Sequence, residues 1–180
     1  MLSEILSRAV STTNGPAYWF LNGLNIVLAT SESTGGAFSL VHHTAPPGHV
    51  TPYHLHHDED EAFFVLDGEF TFIRQGKKTV LGPGEYIFLP RNSPHGIRCT
   101  GATPSTMLIL AMPGTGFVGM MTEMATPAEQ RILPIPTAPD IERLITLCAQ
   151  YKIDILGPLP EGIDEKLATG APQSPKVDLE

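Results

Sequence analysis

The feature that most restricts the fold is a series of short apolar runs, separated by turn residues, over residues 17–111. Connectors such as Asp67-Gly68 and Gly35-Gly36 can supply the unusual backbone angles that tight turns need. The chain has 17 glycines and 17 prolines, which agrees with many turns and short strands. Strands at this spacing are typical of a β-sandwich or a jelly-roll barrel, so we expect an all-β domain.

Strand-like patterns occur in this region and helix-like patterns occur on both sides of it. The predicted strands are Ala17–Phe20, Asn25–Ala29, Phe38–Thr44, Glu61–Asp67, Phe70–Arg74, Lys78–Leu81, Tyr86–Leu89, His95–Arg98 and Ser105–Ala111. The predicted helices are Leu2–Val10, Thr115–Met124 and Pro139–Tyr151. We therefore expect an N-terminal helix or arm over residues 1–16, a β-barrel over 17–112, a helical C-terminal extension over 113–156 and an extended tail over 157–180.

Composition and charge argue against several classes of partner. The formal net charge is −8 and no lysine and arginine cluster is present, so binding to nucleic acid is not expected. No apolar stretch approaches the roughly 20 residues that span a bilayer, and no secretory signal is visible, so we expect no membrane association. The two cysteines, Cys99 and Cys148, lack metal-site or disulfide spacing and are expected to be buried free thiols in a cytoplasmic protein.

A group of histidines and acidic residues in one segment indicates a metal site. His54 and His56 are two residues apart, so on a strand both imidazoles would project from one face. Glu61 lies five residues beyond His56 and would face the other way on an uninterrupted strand. The polar segment 57–60 must therefore bend the chain if Glu61 is to join the two histidines. Glu59 is the rival for Glu61 in the same acidic run.

A fourth candidate ligand is His95, which opens a short strand after a loop fixed by Pro90 and Pro94. Three imidazoles and one carboxylate suit a borderline divalent metal, and the residues do not select among Fe, Mn, Co, Ni, Cu and Zn. The other histidines and acidic residues are assigned more ordinary places: His57, Asp58 and Glu59 to a solvated rim, and His42, His43 and His49 to the surface, although His43 or His49 could reach the pocket.

The two segments that carry these ligands, 48–68 and 84–99, resemble the two motifs of the cupin superfamily. Every position of the first motif is matched, and the second is matched at three positions. The matching residues are Gly48, His54, His56, Glu61 and Gly68 in the first motif, and Gly84, Pro90 and His95 in the second. Asn92 replaces a glycine of the second motif, a mild change because asparagine tolerates positive φ. Cys99 replaces its terminal asparagine, which is not a metal ligand.

The resemblance implies the cupin fold, a double-stranded β-helix or jelly-roll barrel, here followed by C-terminal helices. Segment 114–129 is similar to the helix after the barrel in single-domain, quercetinase-like cupins. In those enzymes the carboxylate ligand holds the metal and also takes the hydroxyl proton of a flavonol, which then reacts with O₂. By this resemblance Glu61 would be both a ligand and the catalytic base, and His54, His56 and His95 would complete the metal site.

The expected function is thus a metal-dependent dioxygenase that acts on a flavonol-like, aromatic or enolisable small molecule. The residues predicted at the substrate pocket are Phe63, Phe72, Met107, Phe117 and Met121, with Ile109 and Met120 as further candidates for the same apolar wall. Ordinary core packing is the alternative for most of them. Two alternatives stay open: a sugar or keto-acid isomerase, which should place lysine or arginine in the barrel, and a non-catalytic binding protein. The apolar residues Phe64 and Leu66 face away from the pocket and must be covered by an N-terminal strand or by a second subunit. The cupin resemblance implies that such dimers are common, so we expect a homodimer.

Overall fold

The computed structural model describes residues 9–164 of the 180-residue chain. Within that range two sheets form a jelly-roll barrel, as predicted. The first sheet has the strand order β11-β1-β2-β3-β10-β5-β8. Its strands are β1 (Ala17–Phe20), β2 (Gly23–Ala29), β3 (Ser39–Ala45), β5 (Asp60–Asp67), β8 (Tyr86–Leu89), β10 (Ser105–Met112) and β11 (Thr126–Pro127).

The second sheet lies across the barrel from the first and has the order β12-β4-β9-β6-β7-β13. Its strands are β4 (Tyr53–His56), β6 (Phe70–Arg74), β7 (Lys77–Leu81), β9 (His95–Cys99), β12 (Ile153–Gly157) and β13 (Ile163–Asp164). Pairing is antiparallel except between β13 and β7. A short 3₁₀ helix, Glu32–Thr34, lies between β2 and β3.

The barrel core follows from the alternation of side chains along the strands. In β3 and β10 every second residue is buried, as expected for strands with one face on the core. Large side chains from both sheets meet there, and the rings of Phe63 on β5 and Phe72 on β6 lie 5.2 Å apart in a tilted arrangement. This aromatic contact across the barrel joins the two sheets.

Two helices follow the barrel, α1 (Phe117–Met124) and α2 (Ile141–Gln150), each within the range predicted for it. Asp140 caps α2, because its side chain accepts a hydrogen bond of 3.0 Å from the backbone N–H of Arg143. Leu144, Leu147 and Cys148 are buried against α1 and β12 in a second apolar cluster. The helices therefore cover one end of the barrel.

The segment predicted as a helical extension also contains a strand that the sequence patterns did not reveal. β12 pairs with β4, with Ile153 opposite His56 and Ile155 opposite His54. β4 is absent from the predicted strands, although the spacing of His54 and His56 did predict that these two residues lie on a strand. The chain thus returns after α2 to pair with the strand that carries two of the candidate ligands.

Two of the sequence predictions fall wholly or mainly outside the described residues. These are the N-terminal helix over Leu2–Val10 and the part of the extended tail after residue 164. The described part of the tail ends in β13, beside β7. Among residues 9–164, no helix is both long and apolar enough to cross a bilayer.

Candidate metal centre

Four side chains converge inside the barrel, and they are the four that the motif spacing selected. One potential ligand atom from each of His54, His56, Glu61 and His95 lies within 4.8 Å of all the others. Oε2 of Glu61 is 2.9 Å from Nε2 of His95 and 3.2 Å from Nε2 of His56. Glu61, His56 and His95 are buried, whereas His54 is half-buried.

The two sheets contribute different ligands. The imidazoles come from β4 and β9 of the second sheet, where His54 and His95 are direct cross-strand partners. Glu61 comes from β5 of the first sheet and pairs there with Ala111 and Leu89. The chain bends between His56 and Asp60, as the polar segment predicted, and crosses from one sheet to the other. Convergence of the four groups therefore depends on the closure of the barrel.

Hydrogen bonds to the backbone orient two of the imidazoles. Nδ1 of His54 lies 2.8 Å from the carbonyl oxygen of Pro52, and Nδ1 of His95 lies 2.9 Å from that of Ser93. A carbonyl only accepts, so each Nδ1 donates its proton there and each Nε2 is directed towards the other ligand atoms. This outer arrangement is the usual one for histidines that bind a metal.

The third imidazole supplies the clearest sign that the cluster suits a cation. His56 is buried, yet neither of its ring nitrogens has a hydrogen-bond partner of acceptable geometry among the described residues. Buried polar atoms are nearly always paired, because an unpaired one costs about 1–3 kcal/mol. Three nitrogen donors and one carboxylate around a common point fit a borderline divalent metal. The cluster could therefore hold one metal ion.

Electrostatics keep most of the cluster in the form that a metal needs. Burial, assisted by repulsion from His95 and His56, lowers the pKa of His54 to about 3. Burial opposes ionisation of Glu61, but the three imidazoles outweigh it and lower the pKa of that carboxyl to about 2. Burial also lowers the pKa of His56, but Glu61 and Glu59 more than compensate, so its pKa is raised. At neutral pH His54 is thus a neutral donor and Glu61 an anionic one.

Glu59 was predicted on the solvated rim, and this prediction is wrong. The side chain is only 3% exposed, and its two carboxylate oxygens accept 2.7 Å hydrogen bonds from the backbone N–H groups of Gly116 and Phe117. Oε2 also lies 3.5 Å from Nδ1 of His56. Glu59 thus contacts both the first turn of α1 and the outer side of one candidate ligand. Backbone N–H groups at the start of a helix stabilise an acidic side chain placed there. Glu59 and the start of α1 are 57 positions apart in the chain, so no local pattern could predict this contact.

The loop before His95 behaves as the departures from the second motif suggested. Asn92, which replaces a glycine, has a φ of 60°, a conformation that asparagine tolerates. Its backbone N–H donates a 2.7 Å hydrogen bond to the carbonyl of His56, which links this loop to β4. Cys99 is buried in the core as a free thiol. Neither substitution disturbs the ligand cluster.

A cavity extends from the ligand cluster through the barrel towards the two helices. The volume open to the centres of water-sized molecules is about 70 Å³. This exceeds the roughly 10–15 Å³ that a cavity needs to hold one water, so there is room for a bound small molecule. Among the described residues no lysine or arginine lines it, and apart from the ligands the wall is mainly apolar.

The structure brings three of the five predicted pocket residues to this cavity. Phe63, Met107 and Phe117 line it, and so do Ile109 and Met120. Phe72 and Met121 do not, which corrects their assignment: both are buried in the barrel core. Phe72 lies behind the ring of Phe63, and α1 turns Phe117 and Met120, rather than Met121, towards the cavity. Alternation and helical spacing alone could not tell the inner core from the cavity wall.

Two further histidines line the cavity. His43 and His49 were expected at the surface, with the pocket as the alternative, and the structure bears out the alternative: they are 5% and 9% exposed and line the same cavity as the metal ligands. The alternation along β3 did place His43 on the inner face with Val41 and Ala45, and this was the available signal. The segment that follows β3 and carries His49 has no periodic pattern.

Comparison with known sequences shows which family the barrel matches. The cupin domain family matches residues 41–111. Quercetin 2,3-dioxygenase of Bacillus subtilis is 33% identical over 95 residues, which are 53% of this chain and 28% of that enzyme. Dimethylsulfoniopropionate lyase DddQ of Ruegeria pomeroyi is 39% identical over 66 residues, 36% of this chain and 32% of that one. The chain therefore spans less than a third of the length of either relative.

Solved structures agree with this assignment at the level of the fold. A predicted oxalate decarboxylase from Thermotoga maritima is 23% identical, with a TM-score of 0.53, and the match covers 58% of this chain and 98% of that protein. KdgF from Halomonas sp. is 20% identical, with a TM-score of 0.52, over 59% of this chain and 94% of that one. The two motifs, the two-sheet barrel and the family match thus agree on a cupin domain at residues 41–111.

Proposed function

We propose that the protein is a metal-dependent dioxygenase that oxidises a neutral aromatic or enolisable small molecule with O₂. The observation that carries this proposal is a cluster of three imidazoles and one carboxylate at the wall of a mainly apolar cavity. Such a cavity suits an uncharged ring system rather than a phosphorylated sugar. The 33% identity to a quercetin dioxygenase over 95 residues supports the same reaction class.

In this proposal the cavity residues have separate tasks. A bound divalent metal would supply electrophilic stabilisation of the substrate oxygen and redox chemistry with O₂. Glu61 takes the proton from the substrate hydroxyl, and its carboxylate is kept ionised by the surrounding imidazoles. Phe63, Ile109 and Phe117 hold the ring system and exclude water, which strengthens the electrostatic interactions at Glu61.

A second candidate is proton abstraction without O₂, catalysed by the same carboxylate. The 39% identity to dimethylsulfoniopropionate lyase over 66 residues favours it as the next reaction class to examine. An anionic substrate, whether a keto acid or dimethylsulfoniopropionate, would have only a bound metal as its cationic partner, because no lysine or arginine among the described residues lines the cavity. The lyase and the isomerase therefore both rank below the dioxygenase. A binding protein without turnover would use the same cavity.

The test is oxygen consumption by protein loaded separately with Fe, Mn, Co, Ni, Cu or Zn. Flavonols and β-diketones serve as substrates, and dimethylsulfoniopropionate with an assay for dimethyl sulfide is the comparison. We expect substrate-dependent O₂ uptake with at least one redox-active metal and none with Zn. Absence of uptake with every metal would refute the dioxygenase. Release of dimethyl sulfide would then indicate the lyase, whereas tight binding without turnover would indicate a binding protein.

A further inference from the structure

The cavity contains a second polar group, separate from the metal ligands. His43 on β3 and His49 in the following loop have ring centroids 5.3 Å apart, and both line the cavity with Asn25 of β2. Asn25 is the direct cross-strand neighbour of His43 and is 1% exposed. The proposed reaction does not use any of the three, although all three are buried and line the cavity.

Hydrogen bonds define which ring atoms of His43 remain available. Nδ2 of Asn25 lies 3.4 Å from the carbonyl oxygen of Gly23, so the amide nitrogen is the donor there and Oδ1 is directed elsewhere. Oδ1 lies 2.8 Å from Nδ1 of His43. The amide oxygen accepts only, so Nδ1 of His43 carries the proton and Nε2 is an acceptor. Gly23 makes room for this ring, since a Cβ there would lie 2.6 Å from Cε1 of His43.

The second imidazole has a similar arrangement. Burial lowers the pKa of His49 to about 4, and the nearby backbone of Leu21 only partly opposes this effect. The pKa of His43 is lowered well below its usual value, first by burial and then by repulsion from His49 and His42. Both rings are therefore neutral at pH 7, and His43 already donates its one N–H to Asn25. Each neutral ring has one acceptor nitrogen that it can offer to a ligand.

The strand register places this pair far along the barrel from Glu61. Glu61 and Ser39 both pair with Ala111, whereas His43 pairs with Met107, four residues further along the same strand. At about 3.3 Å per residue this is roughly 13 Å along the strand direction. A molecule held at both ends would thus need a rigid body of two or three rings, with a polar group at each end.

We propose that His43 and His49, positioned by Asn25, form a subsite that accepts a hydrogen bond from a hydroxyl group at the far end of the substrate. This proposal rests on the proposed function in one respect, since the other end of the same ligand binds at the metal centre. It selects a neutral hydroxylated aromatic compound over its unhydroxylated analogue. It also rejects a carboxylate in that position, because acceptor nitrogens repel an anion.

The test compares two probes that differ in one hydroxyl group. Dissociation constants of 3-hydroxyflavone and 3,4′-dihydroxyflavone are measured by fluorescence under anaerobic conditions on Zn-loaded protein, so that no turnover is needed. The probes are applied to the natural protein, His43→Phe, His49→Phe and the control His42→Phe, which lies outside the cavity lining. Circular dichroism and Zn content verify that each variant folds and keeps its metal.

We expect 3,4′-dihydroxyflavone to bind the natural protein and the control up to about 10-fold more tightly, the value of a neutral hydrogen bond. In His43→Phe and His49→Phe the two probes should bind equally. An unchanged preference in both variants would overturn the subsite, and so would failure of both probes to bind the natural protein. Binding with the expected preference but without O₂ uptake would refute the dioxygenase and leave the subsite intact.

A second measurement does not depend on any ligand. Long-range ¹H–¹⁵N correlation spectra of the metal-free protein at pH 7 report the tautomer of each imidazole. We expect His43 to be neutral with its proton on Nδ1 and its Nε2 unprotonated. A proton on Nε2, or a doubly protonated ring, would overturn the acceptor role, and in Asn25→Leu the Nδ1 tautomer should lose its preference.

Discussion

At the scale of single residues, the centre of the molecule is organised by what each imidazole nitrogen contacts. Nδ1 of His54 and of His95 faces a backbone carbonyl, and Nδ1 of His56 faces the carboxylate of Glu59. These outer partners leave the three Nε2 atoms directed towards Glu61. Glu61 is the carboxylate inside the cluster, and Glu59 is the carboxylate outside it.

Replacement of Glu61 by glutamine should abolish function without unfolding the barrel. The side chain keeps its size but loses the charge, so we expect metal occupancy to fall and any turnover to decrease by at least about 100-fold. Metal content is measured by elemental analysis and turnover by oxygen uptake. Glu142→Gln, an exposed change on α2, is the matched control and should behave as the natural protein does. A fully active Glu61→Gln would contradict the role of base.

Replacement of Glu59 by glutamine should weaken metal binding although Glu59 is not among the four ligands. Loss of the charge behind His56 is expected to reduce metal affinity by about 10- to 100-fold. Loss of a charged acceptor at the start of α1 should also cost about 1–3 kcal/mol of unfolding free energy. Competition with a chelator and urea unfolding measure the two effects. Natural metal affinity in this variant would show that Glu59 serves α1 alone.

At the scale of elements, the helices after the barrel matter because they cover one end of the cavity. α2 presents Leu144 to the second apolar cluster and to the cavity, whereas the next residue, Ile145, faces outward. β12 then pairs with β4, the strand that carries His54 and His56, and covers its outer edge. The C-terminal segment is thus part of the barrel's second sheet as well as a cover.

Two alanine substitutions in adjacent positions of α2 should have very different effects. Leu144 is 2% exposed, so Leu144→Ala should lower the unfolding free energy by about 2–5 kcal/mol through the cavity it leaves. Ile145 is 47% exposed, so Ile145→Ala should change it by no more than about 0.5 kcal/mol. The unfolding free energies of both variants are measured by urea denaturation. Equal losses would mean that α2 does not pack on the barrel as described.

At the scale of the whole molecule, buried neutral histidines make stability depend on pH. In the unfolded chain His43 and His49 titrate near pH 6.5. In the folded protein burial holds their pKa values lower, with that of His49 at about 4. Below pH 6.5 the unfolded state therefore binds more protons, so the stabilisation is complete above this pH and declines as the pH falls.

This linkage predicts a measurable difference between variants. When the pH is lowered from 7.5 to 5.5, each of the two buried imidazoles should lower the unfolding free energy by roughly 1 kcal/mol. Replacement of His43 by phenylalanine should remove the part of this pH dependence that comes from His43. The parts that come from His49, His42 and the other histidines should remain. Urea unfolding of chelator-treated protein at the two pH values measures the slopes. Identical slopes in the natural protein and in His43→Phe would show that His43 is not buried in its neutral form.

The outer surface of the first sheet gives the predicted homodimer a place to form. An outer apolar face is formed by Phe64 and Leu66 of β5 and by Tyr86 and Phe88 of β8, which are 39–58% exposed. Within the described residues β8 is an edge strand. We expect the double change Phe64→Asp and Phe88→Asp to convert a dimer into a monomer in sedimentation velocity, whereas Ile135→Asp, at another exposed site, should not. A monomeric natural protein would refute the homodimer.

The amino-acid sequence was enough to predict a barrel and to name the four ligands, because both depend on patterns within short segments, although convergence of the ligands also required closure of the barrel. Alternation within strands places His54 and His56 on one face, and the spacing of the two cupin motifs selects Glu61 and His95. Only the tertiary structure decided the places of Glu59, His43, His49 and β12. Their surroundings come from segments far apart in the chain: α1 for Glu59, β2 and the turn after β1 for the two histidines, and β4 for β12. Burial and hydrogen bonding between distant segments depend on chain closure in three dimensions, which no local pattern records.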